Sequence, residues 1–287
     1  MRISDKWTDY ELLDASDGDR LERWGDIILI RPDPQVIWQT EKKHPGWTSA
    51  DAQYCRSDTG GGKWDYYKKM PDIWPIKYKD LTFRLKPMGF KHTGLFPEQA
   101  VNWDLFAGII RKANRPVKVL NLFAYTGGAT VACANAGASV VHVDAAKGMV
   151  IWAKENAAVS GLSDSPIRYL TDDCIKFAER EYRRGNKYDA IIMDPPSYGR
   201  GPNGEVWKLE DSLFPFLQAT KKILSDDPLF VAVNSYTTGL SPTIMETLLN
   251  YLLKPSFGGE TTSDEIGLPI TQSGFVLPCG NTAIWRK

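Results

Sequence analysis

From Val117 onward, short apolar runs alternate with stretches of helical periodicity, and this alternation restricts the fold more than any other feature of the sequence. Such runs suit buried strands, and strands separated by helices imply a parallel sheet covered on both faces. The pattern predicts helix Glu98–Lys112, strand Val117–Leu122, helix Gly128–Ala136, strand Val140–Asp144 and helix Ala146–Ser160. It continues with strand Ile167–Leu170, helix Cys174–Arg184, strand Tyr188–Asp194, helix Glu210–Leu224, strand Leu229–Val233 and helix Thr243–Leu253. A loop rich in Gly and Pro is expected over 197–204. Strand candidates near Glu260–Ile266 and Thr282–Trp285, with no helix between them, predict a terminal antiparallel hairpin.

Before residue 90 the character differs: Trp, Tyr, Pro and Lys are dense and helical periodicity is scarce. Asp26–Arg31 reads as a strand stopped by Pro32. Trp64–Tyr67 and Tyr78–Leu85 alternate like strands, with Pro71 and Pro75 between them, and Gly60-Gly61-Gly62 reads as a loop tip. The expected division is a small β-rich domain over 1–88, a candidate for substrate recognition, and an α/β domain over 89–287. A length of 287 residues suits one large and one small domain.

Composition removes several classes. An apolar content of 43% excludes disorder as the main state, and no run approaches the ~18 apolar residues of a membrane-spanning helix. The start, MRISDKWTDYELLD, is polar and reads as no secretory signal. With 35 basic and 35 acidic residues, no whole-chain electrostatic grip on nucleic acid is advertised, although a local patch remains open. Cys55, Cys133, Cys174 and Cys279 are far apart, and so are His44, His92 and His142. Neither a metal site nor a disulfide framework is expected, and a reducing cytoplasm fits.

In an open parallel sheet, ligands bind beyond the carboxyl ends of the strands, where the strand order reverses. After the first strand, Gly127-Gly128 opens a helix whose first N–H groups could hold a carboxylate or phosphate; a tight strand-to-helix turn explains the glycines equally well. The Gly-x-Gly-x-x-Gly and P-loop patterns are absent, which disfavours NAD and ATP. Asp144, after the second strand, could accept both ribose hydroxyls of an adenosyl group or cap the next helix. Asp172 and Asp173, after the third, could receive an adenine amine or serve as caps. After the fourth, Asp194-Pro195-Pro196-Ser197-Tyr198 makes a rigid, extended turn of acceptors with a flat aromatic beside it.

Taken in order, NLFAYTGG (Asn121–Gly128), HVDAAKG (His142–Gly148), TDDC (Thr171–Cys174) and DPPSY (Asp194–Tyr198) resemble the class I S-adenosylmethionine-dependent methyltransferases. Within these they are most similar to the bacterial group that includes large-subunit ribosomal RNA base methyltransferases. HTGLFPEQ (His92–Gln99) strengthens the resemblance, since that group carries a similar Gly-x-Phe-x-x-Gln segment beside the cofactor. The resemblance covers about residues 85–287. It implies an α/β fold with a Rossmann-like seven-stranded sheet, the last strand antiparallel, and S-adenosyl-L-methionine as cofactor. The cofactor residues it implies are Phe96, Gln99, Asn121, Phe123, Ala124, Tyr125, Thr126, Gly127, Gly128, Asp144, Ala145, Asp172, Asp173, Cys174 and Asp194. Gly127-Gly128 would face the methionine part, Asp144 the ribose and Asp173 the adenine amine. Asp194, Pro195, Pro196 and Tyr198 would line the target-base pocket as the catalytic set.

Three departures stand out. Ser197 intervenes between Pro-Pro and the aromatic. Tyr236 stands after the fifth strand, where the closest carbon-methylating branch has its cysteine nucleophile, so methylation through a covalent adduct is disfavoured. Ala100 and Val101 follow Gln99, where relatives often have Arg. The function expected is therefore methyl transfer to a nitrogen of a base in RNA, with ribosomal RNA the leading acceptor. Asp194 and the Pro195 carbonyl would orient the acceptor. An RNA partner is suggested by residues 63–91, where eight cations face three carboxylates and Trp64, Tyr66, Tyr67, Trp74 and Tyr78 interleave. A β meander with a solvated face accounts for the same residues. Arg200 and Lys208 could clamp a phosphate or face water. The competing readings are a small-molecule or protein methyltransferase, and a non-catalytic ribosome-associated binding protein. A hydrolase is least supported, as no Gly-x-Ser-x-Gly elbow exists.

Overall fold

The computed structural model describes residues 1–57, 61–200, 206–237 and 239–287. Gly60 of the expected loop tip, and residues 201–204 of the expected Gly/Pro loop, lie outside them. The chain forms two compact units: one of Arg2–Val101 with Gly267–Cys279, the other of Met1 with Asn102–Ile266 and Gly280–Lys287.

The first unit holds a five-stranded sheet of Tyr10–Ser16, Asp19–Trp24, Ile27–Pro32, Ala52–Arg56 and Gly62–Tyr66, paired in sequence order. Asp17 and Gly18, both at positive φ (53° and 77°), make the two-residue turn that matches strand twist. The first two strands escape a search for alternation because charged residues occupy interior positions: Asp14, Arg20 and Glu22 are all buried. The strand expected over Tyr78–Leu85 is instead a hairpin of Trp74–Tyr78 and Leu81–Leu85. Its buried residues fall at 74, 76 and 78 and then at 81, 83 and 85. The three-residue step from 78 to 81 breaks the two-residue period, and the reversal occurs there, with Lys79 at φ 53°. Pro75 lies inside this two-stranded ribbon, where a missing N–H is tolerated.

Glu22, on the second strand of the five-stranded sheet, organises its interior charges. Arg31 donates to it twice, from Nε to Oε2 at 2.5 Å and from Nη2 to Oε1 at 2.7 Å. The Tyr10 hydroxyl donates at 2.9 Å, and Arg20 Nε lies 3.3 Å away. Burial alone would raise the Glu22 carboxyl, but the guanidiniums of Arg20 and Arg31 outweigh it and hold it at about 2.

The second unit contains β1 (Lys118–Leu122), β2 (Ser139–Asp144), β3 (Ile167–Thr171), β4 (Ala190–Met193), β5 (Phe230–Ser235), and most of β6 (Glu260–Pro269) and β7 (Val276–Arg286). They lie in the order β3-β2-β1-β4-β5-β7-β6. β1 to β5 are parallel and β7 runs antiparallel to β5, as expected for the methyltransferase sheet, and the short strand Arg2–Ile3 beside β6 makes it eight-stranded where seven strands were expected. The central strands are apolar on both faces. One face packs Leu120, Leu122, Ile191, Met193, Val231 and Val233 against Phe177, Phe216 and Leu249. The other packs Val119, Ile192, Phe230 and Ala232 against Phe106, Ile110 and Cys133. Each fully buried Ile or Val contributes about 1.5–3 kcal/mol. The helices are α1 (Ala100–Lys112), α2 (Gly128–Asn135), α3 (Lys147–Val159), α4 (Cys174–Arg183), α5 (Leu209–Lys221) and α6 (Pro242–Phe257).

Glu22→Gln is expected to destabilise the first unit by about 3–5 kcal/mol, because it leaves the buried Arg31 guanidinium without its counter-charge and Arg20 with Asp33 (3.6 Å) as its remaining carboxylate. The Glu22 carboxyl titrates lower in the folded chain than in the unfolded one. Its stabilisation is therefore present at neutral pH and is lost as pH falls from the ordinary carboxylate range towards about 2. Urea denaturation followed as a function of pH, with the variant as reference, measures both effects.

Candidate active site at the carboxyl ends of the strands

β1 and β4 are neighbours, but the chain leaves β1 for β2 on the opposite side, so the strand order reverses between them. Asp194 N–H donates to the Leu122 carbonyl (3.3 Å), which seats the exit of β4 beside that of β1. The exit of β1 is a backbone knot. Phe123 and Tyr125 have φ of 54° and 50°, a left-handed conformation that costs a side-chain-bearing residue about 1–2 kcal/mol.

Specific partners hold that knot. Phe123 N–H donates to Cys174 Sγ (3.2 Å) from α4, and Ala124 N–H to the Val143 carbonyl (3.1 Å). Tyr125 N–H donates to Asp144 Oδ2 (2.8 Å). Asn156 on α3 donates to the Thr126 carbonyl (2.8 Å). Below the knot, Asn121 donates to the Thr130 hydroxyl (2.9 Å), which is 2.9 Å from His142 Nδ1. Burial holds His142 at about 3, so its ring is neutral.

Gly127 and Gly128 are required by packing within the protein. A Cβ on Gly127 would stand 2.8 Å from the Ala153 Cβ, and one on Gly128 would stand 2.6 Å from the Trp103 ring. Gly127 caps α2 at φ 84° with no side-chain acceptor, so the first N–H groups of that helix carry no side-chain cap.

Asp144 accepts from Tyr125 on one oxygen and from Ala146 N–H (2.9 Å) on the other. Burial raises its carboxyl, against the pull of those two backbone donors. Ala145 beside it is exposed. Asp173 caps α4, accepting from Ile175 and Lys176 N–H (2.9 Å each) through Oδ1. Asp172 accepts from its neighbour's N–H and is paired with Arg180. The capping alternative is thus realised at Asp173, whereas Asp172 is held by Arg180. Cys174 is buried, which pushes its thiol up, and the Sγ–H points at the Val143 carbonyl.

The Asp194–Tyr198 turn is gripped from two sides. Trp207 Nε1 donates to the Pro196 carbonyl (2.6 Å), and Thr237 donates to the Ser197 hydroxyl (2.6 Å). The segment expected to be loop forms, in its described part, an antiparallel pair of Tyr198–Arg200 with Val206–Lys208. Tyr198 is 52% exposed, opposite Lys208. Trp207, Thr237 and Asn156 were missed by sequence reasoning. Only Trp207 had a visible signal, an isolated aromatic beside the Gly/Pro stretch.

Phe96 and Gln99 belong to the other unit. Phe96 tilts against His92 (5.1 Å between rings), and Gln99 closes a short 3-10 turn. In the basic and aromatic segment of that unit, Trp74 and Tyr78 are buried, and Trp64 packs on Tyr54 and donates to the Met88 carbonyl. Tyr66 and Tyr67 are each 57% exposed. Lys63 pairs with Asp65 (3.0 Å) and Lys68 with Asp51 (3.1 Å), which neutralises part of the patch. Among the described residues, no group of three or more His, Cys, Asp or Glu is arranged to hold a metal, and no helix is long and apolar enough to cross a membrane.

Residues 53–212 match the sequence profile of the S-adenosylmethionine-dependent methyltransferases. The chain belongs to this family. A crystal structure of a SAM-dependent methyltransferase from Agrobacterium tumefaciens is 36% identical to it with a TM-score of 0.93, over 99% of this chain and 92% of that one. A putative SAM-dependent methyltransferase from Streptococcus mutans, at 18% identity and TM-score 0.75 over 98% of this chain and 76% of that one, shares the fold. A "Ribosomal RNA large subunit methyltransferase K/L" from Shewanella frigidimarina is 33% identical over 155 residues, 53% of this chain and 21% of the relative. The chain spans about a fifth of the length of the curated relatives it matches.

S-adenosylmethionine fits the residues present in this methyltransferase. The side-chain-uncapped start of α2 suits a carboxylate, and the anchored Asp144 carboxylate suits a diol.

Gly127→Ala is expected to cost about 1–3 kcal/mol, combining left-handed strain with the Ala153 clash. Gly137→Ala, at φ 96° with nothing within 4 Å, should cost only the conformational part. Equilibrium denaturation of both variants separates the two contributions.

Proposed function

We propose that this methyltransferase moves a methyl group from S-adenosylmethionine to a base nitrogen in RNA, with ribosomal RNA as the acceptor and the cytoplasm as its place of work. The observation that carries the reading is the seating of the Asp194-Pro195-Pro196 turn on the Leu122 carbonyl, beside the loop suited to the cofactor. The name carried by the curated relatives supports RNA as the acceptor class.

When bound, the cofactor supplies an electrophilic methyl group on a sulfonium. The protein's own contribution is position. The N–H groups at the start of α2 hold the methionine carboxylate. Asp144 keeps lone pairs for the ribose hydroxyls while anchored to Tyr125 and Ala146. Asp173 caps α4 through Oδ1, which leaves Oδ2 for the adenine amine. The remaining residues of the Asn121–Gly128 loop, with Ala145, Asp172 and Cys174, complete the cofactor surroundings within this unit.

On the acceptor side, Asp194 and the Pro195 carbonyl accept the N–H of the target base. With that N–H accepted, the nitrogen lone pair would be left for the methyl group a bound cofactor supplies, and Asp194 would receive the departing proton. Nitrogen chemistry is favoured over carbon chemistry by the state of the thiols. Cys174 is buried with its proton retained, and Tyr236 stands after β5. The exposed Tyr66 and Tyr67 of the first unit offer faces for unpaired bases, the substrate-recognition role read for that unit.

Asp194→Ala should lower methyl transfer by ~10²-fold or more and leave S-adenosylhomocysteine affinity within about threefold. Asp144→Ala should weaken that affinity by ~10–100-fold, the effect of losing a charged acceptor for two hydroxyls. Calorimetry and radiolabelled transfer separate the two outcomes. Nucleoside mass spectrometry of ribosomal RNA from cells with and without the gene tests the acceptor. Loss of one methylated nucleoside supports the reading, and an unchanged profile transfers it to a metabolite or protein acceptor.

A further inference from the structure

Trp207 touches both halves of the site described above. Its ring packs on Phe123 with centroids 5.6 Å apart at 49°, and on Phe216 at 5.8 Å and 88°. Phe123 also meets Phe216 at 5.6 Å and 71°, so the three rings form a closed triangle. Phe216 is fully buried and belongs to the sheet-covering core, so this triangle has one fixed corner. Phe123, at φ 54°, is the first strained residue of the loop after β1. The Trp207 indole N–H donates to the Pro196 carbonyl at 2.6 Å. The backbone of Trp207 is paired opposite Gly199, one residue beyond Tyr198. One side chain therefore links the segment suited to the cofactor with the segment that presents acceptor-binding groups.

Packed rings have few alternative arrangements, so a shift of Phe123 against its fixed neighbour must be taken up by Trp207. Any shift of Trp207 is carried to Pro196 through the indole hydrogen bond. We propose that Trp207 is a positioning residue that couples occupation of the cofactor loop to the geometry of the Asp194–Tyr198 turn, so that the acceptor groups are set only when cofactor is present. Such coupling is reciprocal: a seated acceptor also tightens the cofactor loop. Ser197, which accepts from the Thr237 hydroxyl at 2.6 Å, gives the turn a second anchor. The inference rests on the assignment of the Asn121–Gly128 loop to the cofactor.

Hydrogen exchange of the full chain with and without S-adenosylhomocysteine tests it without needing an acceptor. Pro195 and Pro196 have no amide, so the reporters are the amides of Ser197, Tyr198 and Gly199. In the wild type, the cofactor product should slow exchange in both 121–128 and 197–199. Trp207→Phe keeps a ring on Phe123 and removes the donor to Pro196. It should bind S-adenosylhomocysteine within about twofold of wild type and keep the slowing at 121–128, yet lose at least about tenfold of the slowing at 197–199. Trp207→Ala removes ring and donor together and should weaken S-adenosylhomocysteine binding by about tenfold as well. A Trp207→Phe protein with wild-type slowing at 197–199 overturns the proposal. So does one whose exchange at 197–199 is already raised to the same extent without ligand, since that is the mark of a prop and not of a coupling. Failure of the wild type to bind S-adenosylhomocysteine in calorimetry overturns both the proposal and the cofactor assignment beneath it.

Discussion

The carboxylate of Asp144 ties the exits of β1 and β2 together, and the geometry of the site depends on that tie. By accepting from Tyr125 on one side and Ala146 on the other, it fixes a loop containing two side-chain-bearing residues in left-handed conformation. Two such residues cost about 1–2 kcal/mol each and persist only where surrounding contacts over-determine them. Asp144, Cys174 and Asn156 supply those contacts from β2, α4 and α3. The same carboxylate is partly desolvated, and its two backbone donors offset part of that cost.

This arrangement divides the polar groups of the loop between structure and ligand. The N–H groups of Phe123, Ala124 and Tyr125 are spent on the protein, whereas the start of α2 has no side-chain cap. The two glycines are consumed by contacts with Ala153 and Trp103, which let α3 and α1 pack closely on the turn. Asp173 likewise serves its own helix first. Residues that a motif marks for a ligand are thus part of the framework as well, and a substitution at such a position must be read for stability before it is read for binding. In the first unit, Glu22 plays the comparable organising role for interior charge, holding two guanidiniums within a small sheet.

Much of the α/β unit was legible because its central strands are buried on both faces. β1, β4 and β5 are apolar runs, and the helices between them carry ordinary periodicity. Legibility failed where a local rule met a longer-range influence. Tyr10–Ser16 and Asp19–Trp24 hide charges in the interior, paired with residues from other strands, so no alternation appears. Tyr78–Leu85 looked like one strand, and only the phase slip between Tyr78 and Leu81 marks the hairpin. The stretch after Ser197 looked like loop because Gly and Pro dominate it, although its described ends pair as strands.

The sequence by itself determined that a parallel sheet would form, and so that the segments after its strands would gather at one end. Hydrophobic period and strand length dictate this without reference to distant residues. It also determined which residue types arrive there: Asp144, Asp173, Asp194 and the two prolines. Only the tertiary structure decided how those groups are employed. A carboxylate at a strand end can cap a helix, staple a loop or hold a ligand, and the choice depends on which donors from elsewhere reach it. Cys174, Asn156 and Thr237 make those choices from 51, 30 and 40 residues away and Trp207 from 11 residues away across a hairpin, and no local spacing announces them.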